Sequence, residues 1–348
     1  PAAVPAARNA FKDCDALLHA GFSFGPAAVP AARNAFKDCD ALLAVGTRFG
    51  EIATGSYGVT VPANLIHVDV NPAVFDANYP AAVKLEGDAR AVLSALLAEL
   101  RARPSPLPAE GVAARIGADK QAYRDEWFGH DSKGRVNPAR FFEELRRQVP
   151  ADAVTVVDDG NHTYLTAELF QVKRGGRLIV PTDFNAMGYA APAAIGAKLA
   201  APEKEVFAVI GDGAFMMTGM ELVTAAARSL GIVYYVFHDG ELSQIAQAQE
   251  IPYNRKPCSI LGAVNLEGVA LATGAAYVPM NGDADIADAI ARARQTAATG
   301  RPVIVDVAVD YSKRTAFTLG AVKTNFRRFP LAQRLRMVGR AVKRKITG

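Results

Sequence analysis

The chain has 348 residues, of which half are apolar and about a fifth are charged, as in a soluble globular protein of about two domains. Its apolar runs are too short to span a bilayer, and its three cysteines, Cys14, Cys39 and Cys258, have neither disulfide nor metal-binding spacing. We therefore predict reduced thiols and a cytoplasmic protein. No signal peptide is visible, and the first residue is proline, so we expect a fragment or a processed chain.

An exact repeat opens the chain: residues 1–18 recur unchanged at 26–43. Because natural repeats drift, we interpret 1–18 as a recent duplication or an artefact. The second copy continues into "AVGTRF", which is typical of a buried strand. The first continues into "HAGFSFG", for which we predict a loop.

Apolar strands and helices alternate along the rest of the chain, which predicts parallel sheets covered on both faces. Asn137 and Pro138 indicate the N-cap and first position of a helix. The predicted strands are 42–48, 64–70, 153–157, 206–210, 232–237 and 302–309. The predicted helices are 31–38, 88–101, 138–148, 190–200, 218–229 and 284–297.

The predicted fold class is α/β, with two doubly wound parallel-sheet domains and a basic C-terminal helical tail. We place the domains at 19–104 and 136–312, joined by a charged linker rich in Pro and Gly at 105–135. The tail, 313–348, contains nine Lys/Arg and no Asp/Glu after Ala321, so the rest of the chain is net acidic.

Three polar clusters, 158–162, 211–213 and 238–241, each follow a predicted strand of the second domain. Strand-end Asp residues are common in turns, so one such cluster carries little weight. The carboxyl ends of parallel strands share one edge, however, and ligands bind there. Three clusters together predict a binding site.

Asp212 and Asp239 would meet at that edge, and two like charges are costly unless a cation lies between them. Oxygen ligands favour Mg²⁺ or Ca²⁺, and Mg²⁺ usually completes its shell with phosphate oxygens and water. Gly213, Ala214 and Phe215 precede a predicted helix and can offer backbone N–H groups to a phosphate. The residues alone predict a Mg²⁺–phosphate site without naming the ligand.

The motif Gly211-Asp212-Gly213, with Asp239 following 27 residues after Asp212, resembles the signature of thiamine diphosphate enzymes. The region 26–312 is similar to the middle and C-terminal domains of the acetolactate synthase and pyruvate decarboxylase superfamily. The similar segments are "AVGTRF", "HVDVNP", "EGDARAVL", "DDGNHTYL" and "NAMGYAAPAAIGA". By this resemblance, 19–104 is part of the middle domain, and 136–312 is the diphosphate- and magnesium-binding domain.

The resemblance implies Mg²⁺ bound by the carboxylates of Asp212 and Asp239 and by the backbone carbonyl of Glu241. It implies that Met187 holds the cofactor bent and that the Asn185 carbonyl receives the 4′-amino group. The cofactor would then support decarboxylation and ligation of 2-keto acids such as pyruvate. The resemblance also places these residues around the diphosphate: Asn161, His162, Gly211, Gly213, Ala214 and Phe215.

The sequence departs from the family in several places. No N-terminal pyrimidine-binding domain, with its catalytic glutamate, precedes residue 26, so we assign no catalytic residue to this chain and expect it to be inactive alone. His238 replaces the usual Asn. Ala248 replaces a Trp that shapes the acetolactate synthase pocket, which leaves a decarboxylase or a different ligase possible. The candidate substrate-pocket residues are Gln244, Gln247 and Ala248.

Two further predictions concern the middle domain and the tail. Many family members hold FAD in the middle domain, and Arg48, Asp69 and Arg90 lie in similar motifs, so FAD is left open. Apolar residues at 331, 335, 338 and 342 predict an amphipathic helix with a cationic far side. It could contact a membrane surface or nucleic acid; we favour packing within a homo-oligomer, a dimer or tetramer by resemblance, and expect no nucleic acid.

Three functions remain as hypotheses. The first is the thiamine diphosphate- and Mg²⁺-dependent enzyme for 2-keto acids. The second is a non-catalytic binding or scaffold protein derived from one. The third is a Mg²⁺-dependent phosphohydrolase with Asp212 as nucleophile, against which the 27-residue spacing and Met187 argue.

Overall fold

The computed structural model describes residues 16–20, 30–102, 110–181, 184–253 and 255–347. Two compact units divide the chain: Pro1–Tyr123 with Ala316–Arg328, and Arg124–Thr315 with Phe329–Gly348. Most of the first repeat copy, including Cys14, lies outside the described residues, as does 103–109 at the start of the predicted linker.

The first unit contains a parallel sheet of order β1-β2-β3-β4. Its strands are β1 (Ala16–Ala20), β2 (Ala41–Val45), β3 (Asn64–Asp69) and β4 (Val83–Glu86). Its helices include α1 (Pro30–Asp38), α2 (Ala89–Ala102) and most of α3 (Glu110–Phe128), with α12 (Ala316–Arg328) joining from the far end of the chain.

The loop predicted after the first repeat copy is wrong at His19 and Ala20, which belong to β1. The same Ala-Leu-Leu sequence ends both copies, and the two pair in register, Ala16 beside Ala41. An apolar segment that forms a strand in one copy therefore also forms one in the other, and β1 continues two residues beyond the repeat.

One core cluster of the first unit lies on one face of its sheet, where β2, β3 and β4 pack against Leu96 of α2. Side chains alternate between the faces of a strand, so every second residue of β2 and β3 reaches this core. Helix α3 occupies much of the predicted linker and was missed, because its apolar residues do not gather on one face. The buried strand residues are Leu43, Val45, Ile66, Val68 and Leu85.

The second unit contains a six-stranded parallel sheet of order β6-β5-β7-β8-β10-β9, and with it the predicted α/β class of two parallel-sheet units and a helical tail is confirmed. Its strands are β5 (Val154–Val157), β6 (Leu178–Ile179), β7 (Val206–Gly211), β8 (Ile232–Phe237), β9 (Ala276–Met280) and β10 (Val303–Val307). From β5 the chain moves to β6 on one side of it, and from β6 it crosses back past β5 to β7 on the other side. A topological switch point therefore lies between β5 and β7.

Helices cover both faces of this sheet. One face packs Tyr234 and Val236 against α6, and the other packs Tyr235 and Phe237 against Phe141 of α4. The helices are α4 (Pro138–Gln148), α5 (Asn161–Leu169), α6 (Ala190–Ala200), α7 (Asp212–Thr218), α8 (Leu222–Ala227), α9 (Ser243–Tyr253), α10 (Leu266–Thr273), α11 (Ile286–Ala298) and α13 (Leu331–Thr347).

Most predicted helix bounds lie within two residues of those observed, and the Asn137 cap is confirmed, since its side chain accepts a hydrogen bond from Ala139 N. The single helix predicted at 218–229 is wrong: α7 starts at Asp212, and a 3₁₀ turn, Gly219–Glu221, separates it from α8. Among the described residues, no helix is both long and apolar enough to cross a membrane.

Candidate functional site

The site lies at the switch point of the second unit, where β5, β7 and β8 end. A cleft there brings together most of the residues predicted to bind cofactor and metal, with Asp159, Leu242 and Tyr311 as unpredicted neighbours. The predicted residues that line it are Asn161, His162, Met187, Gly211, Asp212, Gly213, Ala214, Asp239, Glu241 and Gln244.

Asp158, directly after β5, fastens the loop that carries Met187. Its carboxylate is fully buried and accepts hydrogen bonds from Gly188 N at 2.9 Å and Ala190 N at 2.7 Å. Burial raises the pKa of Asp158, while these N–H groups act in the opposite direction. Sequence reasoning did not assign this role to Asp158; a strand-end carboxylate was the only signal.

The start of α5 supplies two polar side chains with unused hydrogen-bonding capacity. Asn161 and His162 are buried, and among the described residues neither Asn161 Oδ1 nor His162 Nε2 has a partner. A Cβ on Gly160 or Gly211 would approach the His162 ring to 2.6 or 3.1 Å, so these glycines make room for the ring. Burial lowers the pKa of His162 to about 3, which keeps it neutral at pH 7.

Asp212 joins the ends of β7 and β8. Its Oδ1 accepts from Gly213 N at 2.7 Å, and its Oδ2 accepts from Gly240 N at 2.8 Å and Asp239 N at 3.3 Å. Burial raises the pKa of both Asp212 and Asp239, that of Asp239 to about 6, and the Asp212 charge contributes to the latter. Two neighbouring carboxylates of this kind, one buried and one half-buried, favour a bound cation.

Glu241 and Ser243 complete this part of the cleft. The Glu241 carboxylate pairs with Lys256 Nζ at 2.8 and 2.9 Å, so its side chain is engaged away from Asp212. The Ser243 hydroxyl donates to Asp239 Oδ2. Within the described ranges, no three His, Cys, Asp or Glu side chains are grouped as metal ligands. A cation held here would need backbone, water or ligand oxygens, as Mg²⁺ usually does.

His238, which replaces the family's usual Asn, lies beside this pair of carboxylates. Its Nδ1 is 2.9 Å from Asp306 Oδ1, and its Nε2 is 4.0 Å from Asp212 Oδ2. Asp306 also accepts from the Tyr277 hydroxyl at 3.1 Å. The hydrogen bond to Asp306 raises the pKa of His238. Asp306 was missed because it is the single acidic residue within an otherwise apolar strand, β10.

Four predicted residues lie outside the cleft lining. Phe215 is fully buried, and Asn185, with φ of +53°, donates its backbone N–H to Pro181 O at 2.7 Å. Gln247 donates to Tyr311 O at 3.1 Å and lines an adjacent pocket, while Ala248 is exposed. Of the predicted substrate-pocket residues, only Gln244 lines the cleft itself.

The residues predicted for FAD belong to the first unit. Arg48 and Asp69 follow or end β2 and β3 at the carboxyl edge of the sheet, and Arg90 is exposed in the first turn of α2. Asp69 Oδ1 accepts from Asn71 N at 2.8 Å, and Arg48 O accepts from Asn78 Nδ2 at 3.0 Å. These contacts order the loops, and FAD binding by them stays a prediction.

The fold and the cleft define an α/β domain that can hold a metal-bound phosphate ligand at its switch point. Sequence comparison identifies the class further: residues 158–307 match the family model "Thiamine pyrophosphate enzyme, C-terminal TPP binding domain", and residues 4–96 match "Thiamine pyrophosphate enzyme, central domain". The chain belongs to the thiamine pyrophosphate enzyme family, and the resemblance to its acetolactate synthase branch is confirmed.

Curated relatives agree with this assignment. The chain is 31% identical to acetolactate synthase of Mycobacterium bovis, over 71% of this chain and 41% of the relative. It is 31% identical to the acetolactate synthase large subunit of Corynebacterium glutamicum, over 74% and 42%. It is 35% identical to "Probable 2-ketoarginine decarboxylase" of Pseudomonas aeruginosa, over 52% and 32%. The chain spans about two fifths of the length of the acetolactate synthases it matches.

Proposed function

We propose that this chain is part of a thiamine diphosphate- and Mg²⁺-dependent enzyme that cleaves and forms carbon–carbon bonds of 2-keto acids. The observation that carries the proposal is one cleft that holds buried Asp212 and half-buried Asp239 together with polar atoms of Asn161 and His162 that have no partner among the described residues. Metal and diphosphate need these two kinds of group side by side, and the domain belongs to a thiamine diphosphate-binding family.

Asp212 and Asp239 would hold Mg²⁺ through their carboxylates, and Glu241 would contribute its backbone carbonyl. The ion pair between Glu241 and Lys256 supports this division, because it occupies the Glu241 side chain. Gly240 N and Gly213 N orient Asp212, so its oxygens are positioned before the metal arrives. Such preorganisation lowers the cost of ordering the site on binding.

Asn161 and His162 would contact the diphosphate, together with backbone groups of Gly211, Gly213 and Ala214. Phe215 would contribute only its backbone N–H, since its ring is buried. A Cβ at Gly213 would lie 2.5 Å from Leu242 Cδ2 and 3.7 Å from Met187 Cε, so Met187 and Leu242 close over this glycine.

Met187 and Asn185 lie on the loop fastened by Asp158, which supports their proposed roles of bending the cofactor and receiving its 4′-amino group. When bound, the cofactor supplies the electron sink for decarboxylation. The residues of this chain hold and orient it and exclude water. We propose that the catalytic glutamate belongs to a pyrimidine-binding domain.

The substrates are proposed from the relatives. Their names point to decarboxylation of a 2-keto acid, followed by ligation in the acetolactate synthases. We propose a 2-keto acid other than pyruvate as an alternative substrate, because Ala248 stands where that branch carries Trp. The cytoplasmic location stays a prediction; Cys39 and Cys258 are free thiols.

We further propose a homo-oligomer, supported by an exposed apolar patch on α7, α8 and the turn between them. Met216, Met217, Met220 and Val223 are each about half exposed. Clustered apolar side chains of this kind commonly mark a protein–protein interface.

The test is calorimetric titration of thiamine diphosphate with and without Mg²⁺. Asp212→Ala should weaken Mg²⁺-dependent binding by about 100-fold or more, because loss of a group that only orients a metal ligand already costs about 10–100-fold and Asp212 would bind the metal itself. Asp288→Ala, which removes an exposed carboxylate on α11, is the matched control. Unchanged binding by Asp212→Ala would refute the proposed metal site. In a second experiment, a pyrimidine-binding domain is added to the chain. Catalytic activity in that mixture would identify an enzyme, and its absence a non-catalytic binding protein.

A further inference from the structure

The hydroxyl of Ser243, the first residue of α9, donates a hydrogen bond to Asp239 Oδ2. Ser243 is buried, Asp239 is half-buried, and both line the cofactor cleft. Among the described residues, the only other hydrogen bond to the Asp239 carboxylate comes from Glu241 N, and at 3.4 Å it is long. The orientation of this carboxylate therefore depends mainly on Ser243.

The loop that carries both residues, 239–243, is fixed by contacts of its backbone. Leu242 N donates to Ser259 O at 2.8 Å. Leu261 N donates to Gly240 O at 2.9 Å, so the segment 259–261 holds the loop along one side. Ser243 thus donates from an ordered backbone, and its hydroxyl can keep the neighbouring carboxylate in one position.

Asp212 and Asp239 are therefore both oriented before a metal arrives, and this restriction discriminates between hard cations. Mg²⁺ requires near-ideal octahedral geometry, with oxygens at about 2.0–2.1 Å, and usually keeps several waters. Ca²⁺ takes about six to eight oxygens at about 2.3–2.6 Å in flexible geometry, and it often binds both oxygens of one carboxylate. The Ser243 hydroxyl engages Asp239 Oδ2 and so opposes binding through both oxygens. The arrangement favours Mg²⁺.

We propose that Ser243 is a positioning residue that makes this site selective for Mg²⁺ over Ca²⁺, because it holds the Asp239 carboxylate in one orientation. Ser243 acts through Asp239 and is not itself a metal ligand. The inference rests on the proposed function, since it concerns the metal that would bind together with thiamine diphosphate.

The experiment measures thiamine diphosphate binding to the full chain by calorimetry at increasing concentrations of Mg²⁺ or Ca²⁺. Its readout is the metal concentration that gives half of the maximal binding. Thiamine diphosphate also chelates both metals in solution, but this contribution is the same for every variant and cancels between them. We expect the wild type to need at least about tenfold less Mg²⁺ than Ca²⁺.

Ser243→Ala should raise the Mg²⁺ requirement by about 10–100-fold, the usual loss when a group that orients a metal ligand is removed. The Ca²⁺ requirement should change by less than about threefold, because Ca²⁺ tolerates a carboxylate that is free to turn. The matched control is Ser259→Ala. It removes another buried hydroxyl, one that donates to Gln249 Oε1, and should leave both requirements unchanged.

The outcomes separate this inference from the proposed function. If the wild type does not bind thiamine diphosphate with either metal, both are overturned. If it binds with Mg²⁺ but shows no preference over Ca²⁺, only the role of Ser243 is overturned, and this comparison needs no variant. The role is also overturned if Ser243→Ala raises both metal requirements by the same factor, as a general loss of structure would, or changes neither.

Discussion

His162 should make the second unit sensitive to acid in a way that can be calculated. Its pKa falls from 6.5 to about 3 on folding because the ring is completely buried. Below pH 6.5 the unfolded chain binds a proton that the folded protein does not, so the contribution to stability is complete above pH 6.5 and is lost as the pH falls towards 3. Each pH unit in that window costs about 1.4 kcal/mol, so the loss at pH 4.5 is about 3 kcal/mol.

The assay is urea unfolding of the wild type and His162→Gln between pH 7.5 and 4.5, followed by fluorescence. Trp127, the only tryptophan, is fully buried in the second unit, so the signal reports on that unit. Other titrating groups are shared and cancel in the difference between the two proteins. Their free energies of unfolding should converge by about 3 kcal/mol over this range. Parallel pH dependences would refute the buried, neutral His162.

Three more predictions follow from single contacts. Asp158→Asn should lower the stability of the Met187 loop by about 1–3 kcal/mol, because an amide N–H₂ would face Ala190 N–H; thermal unfolding would show it, and an unchanged melting temperature would contradict it. Gly213→Ala should weaken thiamine diphosphate binding about tenfold in calorimetry, because the new Cβ pushes Leu242 into the cleft, while wild-type affinity would show that the cleft has spare room. Helix α13 carries the exposed residues Leu331, Leu335 and Arg336 and the half-exposed Arg334. If this helix packs in an oligomer, the protein should not sediment with anionic vesicles. Vesicle binding that salt abolishes would instead indicate a membrane contact.

The sheet and the main residues of the cleft were predictable because they depend on general rules. Continuous apolar runs form buried parallel strands, and polar residues that follow them meet at one edge. The sequence positions of Asp212, Asp239 and Asn161 after β7, β8 and β5 were therefore enough to predict that they lie in the cleft. The motif spacing then named the family.

Other features depend on contacts that no local pattern records. Helix α3 lacks an apolar stripe, and α7 starts at Asp212 directly after β7 with no side-chain cap hydrogen bond to mark its start. The adjacent tyrosines of "IVYYVF" must point to opposite faces of β8, but only packing shows that the Tyr235 ring lies against Phe141 and Phe207. The role of Asp158 likewise depends on a loop 30 residues away.

Asp212 shows why a buried strand should end in a carboxylate between two glycines. Two of its three backbone hydrogen bonds, from Asp239 N and Gly240 N, tie β7 to the loop after β8, so the residue stabilises the edge even without a metal. Asp212→Ala would therefore lose stability as well as metal binding, and a binding loss alone would be ambiguous. Among the residues that the structure describes, Asp239 accepts a weak 3.4 Å backbone hydrogen bond and one from Ser243 and no others, so Asp239→Ala should spare the fold. If Asp239→Ala also weakens Mg²⁺-dependent thiamine diphosphate binding while the melting temperature holds, the carboxylate pair acts on the metal; if affinity holds, Asp212 is a structural residue and the metal lies elsewhere.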